Sequence, residues 1–196
     1  MEKTYYENER KGRMLLRELF NRFYSDKYDI QPYYTEIDLC KCYDAAVTRF
    51  NQDTTWLHDT HLYEVKLRDI DYDTILLEKD KYDALIEERK FNYDGDVKLY
   101  YVSCHPSATY VFDLDNVELK WISEHHNISS VEKEKGTRLK KICYLQKERG
   151  KKINIRLDQI ELFDALNKED INRTIVKQKQ TIVSIEWLFG TKTYED

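Results

Sequence analysis

The chain has few residues that interrupt regular structure, and it has no long apolar run. Only 5 of its 196 residues are glycine and 2 are proline, so the sequence offers no obvious linker between domains. No run approaches the roughly eighteen apolar residues that a membrane-spanning helix needs. The segment 1–13 is charged throughout and lacks the apolar stretch of a signal peptide. We therefore expect a single cytoplasmic domain covering residues 1–196.

Two nucleotide-binding motifs are also missing. The sequence contains neither Gly-x-x-x-x-Gly-Lys-Ser/Thr nor Gly-x-Gly-x-x-Gly, so it gives no support to a nucleotide-driven motor or a Rossmann-fold enzyme. In the cytoplasm the four cysteines should be reduced. Cys40 and Cys42, with Cys104 and His105, could bind zinc, but structural zinc sites normally show two ligand pairs at wider spacings. Two small residues on one face of a strand explain Cys40 and Cys42 more simply.

Charge is abundant and unevenly spread. Charged residues make up 35% of the chain, and the formal net charge is -5. Between Val131 and Arg156 there are ten Lys/Arg and three Glu, a local net of +7, which leaves -12 for the remainder (-5 minus +7). This asymmetry indicates either a basic contact surface for nucleic acid or a solvated hairpin. The candidate contacts are Lys140, Lys141, Lys151 and Lys152.

Apolar periodicity predicts a mixture of helices and strands. Leu15, Leu19 and Phe23 are spaced by four and predict a helix over 7–25. A second helix is predicted over 77–91, and a third over about 158–175. The predicted strands cover 38–50, 61–68, 98–103, 108–114, 140–146, 152–157 and 181–188, with a turn-like stretch at 51–59 and an irregular one around His125 and His126. The order favours an α/β or α+β fold with a mixed central β-sheet flanked by helices.

The sequence has three Glu-x-Lys triplets, and their context separates them. Glu88 and Lys90 end a helical pattern, where residues two apart point about 200° apart. The pair at 118 and 120 follows a strand in a polar stretch. Glu64 and Lys66 lie within a predicted strand, where residues two apart share a face. If the strand carrying Asp44 pairs with this one, both carboxylates meet at one edge of the sheet.

Such a group of residues suits hydrolysis of a phosphodiester. Mg²⁺ or Mn²⁺ prefers oxygen ligands and keeps several waters, so Asp44, Glu64 and the backbone carbonyl of Val65 could hold it. The metal would lower the pKa of a bound water and polarise the phosphate. Lys66 would orient that water or neutralise charge that develops in the transition state.

These residues resemble a known family. Asp44-Ala-Ala-Val followed by Tyr63-Glu-Val-Lys-Leu-Arg-Asp69 is similar to the motif of the PD-(D/E)XK nuclease superfamily, which includes restriction endonucleases and Holliday-junction resolvases. The resemblance covers roughly residues 10–115 and implies a mixed sheet in α-β-β-β-α-β order, followed by a basic strand and helix extension over about 116–196. It also implies an acidic residue on the first helix, matched by Glu18, and a polar residue on the later helix, matched by Lys81. We count Lys81 as a fifth candidate nucleic-acid contact. Tyr43 stands where the family often has proline.

The resemblance implies a Mg²⁺- or Mn²⁺-dependent endonuclease acting on DNA, with RNA not excluded, in a phage, mobile-element or repair setting. A two-strand cut would suit a homodimer. Two alternatives stay open at this point. A nuclease fold with a lapsed site would bind nucleic acid without cutting it, or the lysine-rich segment would dock a protein partner. Each site residue also has a simpler reading, since Glu64 and Lys66 could form a solvated ion pair of little energetic consequence.

Overall fold

A computed structural model describes six stretches of the chain: residues 2–24, 29–34, 43–50, 57–92, 96–127 and 136–160. All of them belong to one compact unit, Met1–Ile160. Residues 161–196, with the helix predicted to continue to 175 and the strand predicted at Thr181–Leu188, lie outside the described residues. The single domain over 1–196 therefore stays a prediction. Residues 35–42 and 51–56, with Cys40 and Cys42, also lie outside.

Two long helices and nine strands make up most of the described residues. They are α1 Glu2–Tyr24, β1 Asp29–Tyr34, β2 Ala45–Phe50, β3 Leu57–Leu67, β4 Thr74–Glu78, α2 Lys79–Asn92, β5 Val97–Cys104, β6 Thr109–Asp113, β7 Ile122–Asn127, β8 Thr137–Gln146 and β9 Lys151–Ile153. A short 3-10 helix, Lys147–Arg149, precedes β9. A further helix begins at 157.

The strands form a mixed central sheet and a smaller second sheet. In the described residues the central sheet has the order β1-β2-β3-β5-β6-β9, and the second has the order β4-β8-β7. Neighbouring central strands are antiparallel except for β3 and β5, which are parallel. A parallel pair needs a crossover, and α2 lies in the connection between them. The predicted mixed central sheet flanked by helices is confirmed.

Each face of the central sheet has its own hydrophobic core. On one face, α1 packs Leu15, Leu16 and Leu19 against strand residues that include Tyr63 and Val65. On the other face, strand residues pack against α2 and the second sheet, and the buried side chains there include Leu62, Leu77, Leu85, Leu99, Tyr101 and Phe112. Burying each leucine contributes about 1.5–3 kcal/mol of transfer free energy. The alternation along β3 therefore directs Tyr63 and Val65 to α1, and Leu62 and Glu64 to the opposite face.

Several predicted element boundaries were displaced, and for identifiable reasons. The prediction of an irregular stretch around His125 and His126 was wrong, because this stretch is strand β7. Its exposed sequence Ile-Ser-Glu-His-His-Asn has no apolar alternation, and the strand follows from its pairing with β8. Strand β3 begins at Leu57 rather than at His61, because Asp59 and Thr60 are buried polar residues that an apolar pattern does not mark.

Helix α1 begins at Glu2 rather than at residue 7, because its apolar stripe starts only at Met14. Strands β1 and β4 were not predicted at all. The first of them contains Pro32 on an edge strand, and the second has only five residues. The strand predicted over 152–157 is observed as the three-residue strand Lys151–Ile153.

Candidate metal and phosphodiester site

The Asp44 carboxylate is held against the backbone of β3. Asp44 directly precedes β2, and the first register pair of β2 with β3 joins Ala45 to Tyr63. The Asp44 N–H donates a 2.8 Å hydrogen bond to the Tyr63 carbonyl oxygen. In return, the Val65 N–H donates a 2.6 Å hydrogen bond to Asp44 Oδ2. The pairing expected between the two motif strands is therefore present, and it fixes Asp44 beside Glu64.

Glu64 lies deep in the protein with two ammonium groups beside it. The residue is 2% exposed. Its Oε1 atom lies 2.9 Å from Lys66 Nζ and 3.5 Å from Lys81 Nζ. Both ammonium groups therefore contact the same buried oxygen, and together they compensate the Glu64 charge.

The two carboxylates affect each other. Burial raises the pKa of Asp44 most, and the charge of Glu64 raises it further. The hydrogen bond from Val65 lowers it, and the resulting pKa is about 7. For Lys66, burial lowers the pKa, but the charge of Glu64 raises it, so the net direction is upward and the side chain is an ammonium. Two close acids, one of them with a raised pKa, are typical of functional sites.

Helix α1 reaches the site through residues that the sequence analysis did not select. Arg13 Nη1 lies 3.9 Å from Asp44 Oδ1, and it donates a 2.9 Å hydrogen bond to Glu9 Oε2 one turn earlier. The charge of Glu9 also raises the pKa of Asp44. Glu18, the predicted helix acid, forms a 2.8 Å ion pair with Arg22 instead. Because nine residues of helix span about 13.5 Å, Glu9 is the helix acid nearer to Asp44.

On the side of β3 that faces β5, away from Asp44, Tyr101 and Arg68 extend the polar part of the site. Tyr101 is the register partner of Glu64 on β5. Its hydroxyl donates a 2.9 Å hydrogen bond to the Leu76 carbonyl oxygen and accepts a 3.2 Å bond from Arg68. Arg68 follows Lys66 by two residues, so the strand alternation that selected Glu64 and Lys66 could also have indicated Arg68.

The structure separates the four candidate nucleic-acid contacts of the basic segment. Lys140 is bonded to Glu78 at 2.8 Å, and its side chain is only 9% exposed. Lys141 is exposed on the same strand, β8. Lys151 and Lys152 are exposed on β9, at the edge of the central sheet. These positions leave Lys141, Lys151 and Lys152 accessible, whereas Lys140 is already neutralised.

The donor set suits a hard divalent cation better than zinc. Asp44 and Glu64 supply oxygen ligands, which Mg²⁺ and Mn²⁺ prefer. The described stretches contain no group of three or more His, Cys, Asp or Glu side chains arranged to hold a metal. An ion bound here would therefore need water and backbone oxygen to complete its shell. The carbonyl role of Val65 stays a prediction, because the structure shows only its N–H in use, at Asp44.

Sequence comparison with known families and curated proteins gives no match. No protein-family model matches the chain, and no curated protein sequence matches it significantly. Among the helices of the described residues, none has the length and apolar character required to cross a membrane.

Proposed function

We propose that the chain is a divalent-metal-dependent nuclease that hydrolyses phosphodiester bonds of DNA. The observation that carries the proposal is the hydrogen bond from Val65 N–H to Asp44 Oδ2. Val65 directly follows the buried Glu64 on β3, so this bond holds the Asp44 carboxylate beside Glu64. Lys66 and Lys81 flank Glu64 from β3 and α2. Two acids and a lysine meeting at one edge of a sheet suit phosphodiester hydrolysis.

The element order gives independent support. The central sheet and its helices follow the order α1, β1, β2, β3, α2, β5, with the last two strands parallel. This is the α-β-β-β-α-β order that the resemblance to the PD-(D/E)XK nuclease superfamily implies. Strand β4 is an addition to that order, and it belongs to the second sheet.

In the proposed reaction, Asp44 and Glu64 would hold Mg²⁺ or Mn²⁺, which supplies Lewis-acid chemistry and a more acidic bound water. Lys66 is a fixed ammonium within reach of Glu64, and it would neutralise negative charge that develops on the phosphate. Lys81, half-buried on α2 and 3.5 Å from the same oxygen, would keep Glu64 compensated while Lys66 acts on the phosphate. Water attacks phosphorus, the P–O bond to the leaving strand breaks, and a proton passes to the leaving oxygen.

Incubation of the purified chain with supercoiled and branched DNA, with and without Mn²⁺, tests the proposal. We expect cutting that requires Mn²⁺ and that Glu64→Gln abolishes. The matched control is Glu118→Gln, because Glu118 forms an exposed 3.2 Å pair with Lys120 in a second Glu-x-Lys triplet. Cutting that is equally strong in Glu64→Gln and Glu118→Gln would contradict this site.

A second candidate function is favoured by one observation. Both ammonium groups already compensate Glu64 in the structure, as expected of a site that has stopped binding metal. The chain would then bind nucleic acid, or a protein partner, without turnover. Salt-sensitive DNA binding with no cutting and no measurable Mn²⁺ affinity would favour this second function.

A further inference from the structure

Lys66 belongs to a row of residues that crosses the central sheet at right angles to its strands. Lys66 pairs with Ser103 on β5, Ser103 with Tyr110 on β6, and Tyr110 with Lys152 on β9. Residues directly opposite each other in a sheet project from the same face. Lys152 therefore lies on the same face as Glu64 and Lys66. Three steps of ~4.8 Å between strands place the two lysine backbones about 14 Å apart.

The neighbouring lysine lies on the other face. Lys151 pairs with Val111, which belongs to the core beneath α1. Its ammonium lies 4.2 Å from the ring centroid of Phe23 on α1. Two consecutive exposed lysines, alike in charge and strand position, are thus divided between the two faces. Only Lys152 shares a face with the candidate site.

A second lysine, Lys147, also lies beside Tyr110. The Lys147 ammonium lies 5.2 Å from the centroid of the Tyr110 ring, and Lys152 is the register partner of that residue. The turn between them is fixed by Gly150, where an added Cβ would lie only 2.8 Å from ring carbons of Phe112. In the part of the chain that the structure describes, no carboxylate lies within 4 Å of either ammonium. We name these two residues the Tyr110 lysine pair.

We infer that the Tyr110 lysine pair binds the phosphate backbone of the nucleic-acid strand whose scissile phosphate lies at Lys66. The inference rests on the proposed nuclease function. Charge complementarity identifies the ligand, because the Lys147 ammonium over the Tyr110 ring and the exposed Lys152 beside it on β9 match a chain of phosphates. A span of about 14 Å corresponds to roughly four base steps at ~3.4 Å rise each. Because Ser103 and Tyr110 are buried, the backbone would pass over the protein surface outside them, from Lys66 towards Lys152.

The adjacent lysines provide the test. The full chain, without metal so that nothing is cut, is titrated with a labelled 30-base-pair DNA duplex between about 50 and 200 mM salt. For Lys147→Ala and Lys152→Ala we expect weaker binding and a loss of about 0.9 from the slope of log affinity against log salt for each variant. Lys152→Arg should restore the slope. Lys151→Ala, the matched control, should leave it unchanged.

The outcomes separate the two proposals. If Lys151→Ala lowers the slope as much as Lys152→Ala, or if neither lysine of the pair changes it, the inference is overturned even when Mn²⁺-dependent cutting is present. If the slopes change as expected and Glu64→Gln does not affect cutting, the proposed catalytic site fails and the Tyr110 lysine pair stands as a backbone contact. Absence of any DNA binding by the unaltered chain would overturn the inference.

Discussion

The backbone amide of Val65 donates a 2.6 Å hydrogen bond to Asp44 Oδ2. This bond connects the residue that precedes β2 to the centre of the Glu-x-Lys triplet on β3. It also holds the Asp44 carboxylate close to that of Glu64. Burial and the charge of Glu64 together raise the pKa of Asp44 to about 7. The geometry is unfavourable for an isolated protein and favourable for a bound cation. On the proposed function, activity and stability therefore oppose each other at Asp44.

Asp44→Asn should stabilise the fold and abolish cutting. The folded-state pKa of Asp44 is raised, so its ionisation destabilises the fold above the unfolded pKa of about 3.9, and increasingly up to pH 7. The asparagine side-chain oxygen can still accept the Val65 hydrogen bond without the charge. At pH 8 we expect a gain of about 1 kcal/mol or more in the free energy of unfolding, measured with urea. A loss of stability would contradict the repulsion between Asp44 and Glu64.

Acid should destabilise the chain through Asp59 and His61. Burial raises the pKa of Asp59, but hydrogen bonds from Arg49 and the charge of His61 lower it to about 2 overall. Burial lowers the pKa of His61 to about 4. Both folded values lie below the unfolded ones of about 3.9 and 6.5, so stability is complete above pH 6.5. The His61 contribution should be lost as pH falls from about 6.5 to 4, and that of Asp59 from about 3.9 to 2.

The Asp44→Asn background is the suitable one for this measurement, because Asp44 contributes with the opposite sign between pH 4 and 7. Urea unfolding at pH 7.5, 5.5 and 4.5 should then show a continuous fall in stability. His61→Gln should flatten the fall over this range. A profile that is equally steep with and without His61 would rule out the histidine as its cause.

Alanine substitutions at Gly150 and Gly12 should change the stability of the fold in opposite directions. A Cβ at Gly150 would lie 2.8 Å from two carbons of the Phe112 ring, so Gly150→Ala should destabilise the fold by about 1–3 kcal/mol. A Cβ at Gly12 in α1 would meet only Val65, at an ordinary 3.7 Å. Gly12→Ala should stabilise the fold by about 0.5–1 kcal/mol through helix propensity. The midpoints of thermal unfolding check both, and equal effects would refute the packing argument.

Lys140→Ala should reduce stability rather than DNA affinity. Lys140 is held by Glu78 at 2.8 Å, in a charge-assisted bond that links β8 to β4. Its loss should lower the free energy of unfolding by about 1 kcal/mol. Lys141→Ala, at the exposed next position, should leave stability unchanged. DNA affinity that falls more with Lys140→Ala than with Lys141→Ala would contradict this assignment.

The sequence predicted the parts of the fold that carry strong apolar periodicity. Helix α1, strands β3 and β5, and the shared face of Glu64 and Lys66 follow from the spacing of apolar residues and from strand alternation. Strand β7 could not be predicted, because its residues are exposed and its conformation depends on pairing with β8. Local patterns do not record such tertiary pairing.

Within the site, the members that could be predicted lie close together in sequence. Strand alternation placed Glu64 and Lys66 on one face, and the motif spacing indicated Asp44 and Lys81. Glu9 was missed because α1 presents several acids, and periodicity does not show which helical turn lies near the start of β2. The division of Lys151 and Lys152 between the two faces depends on the register of β9 with β6, which only the structure supplies.

The most direct test of the central claim, that Asp44 and Glu64 together form a divalent-metal site, is calorimetric titration of the metal-free chain with Mn²⁺ at pH 7.5. We predict one binding site in the unaltered chain and in Glu118→Gln. Binding should be lost in both Asp44→Asn and Glu64→Gln while both variants remain folded by circular dichroism. Mn²⁺ binding of equal strength in all four proteins, or in none of them, would contradict the account.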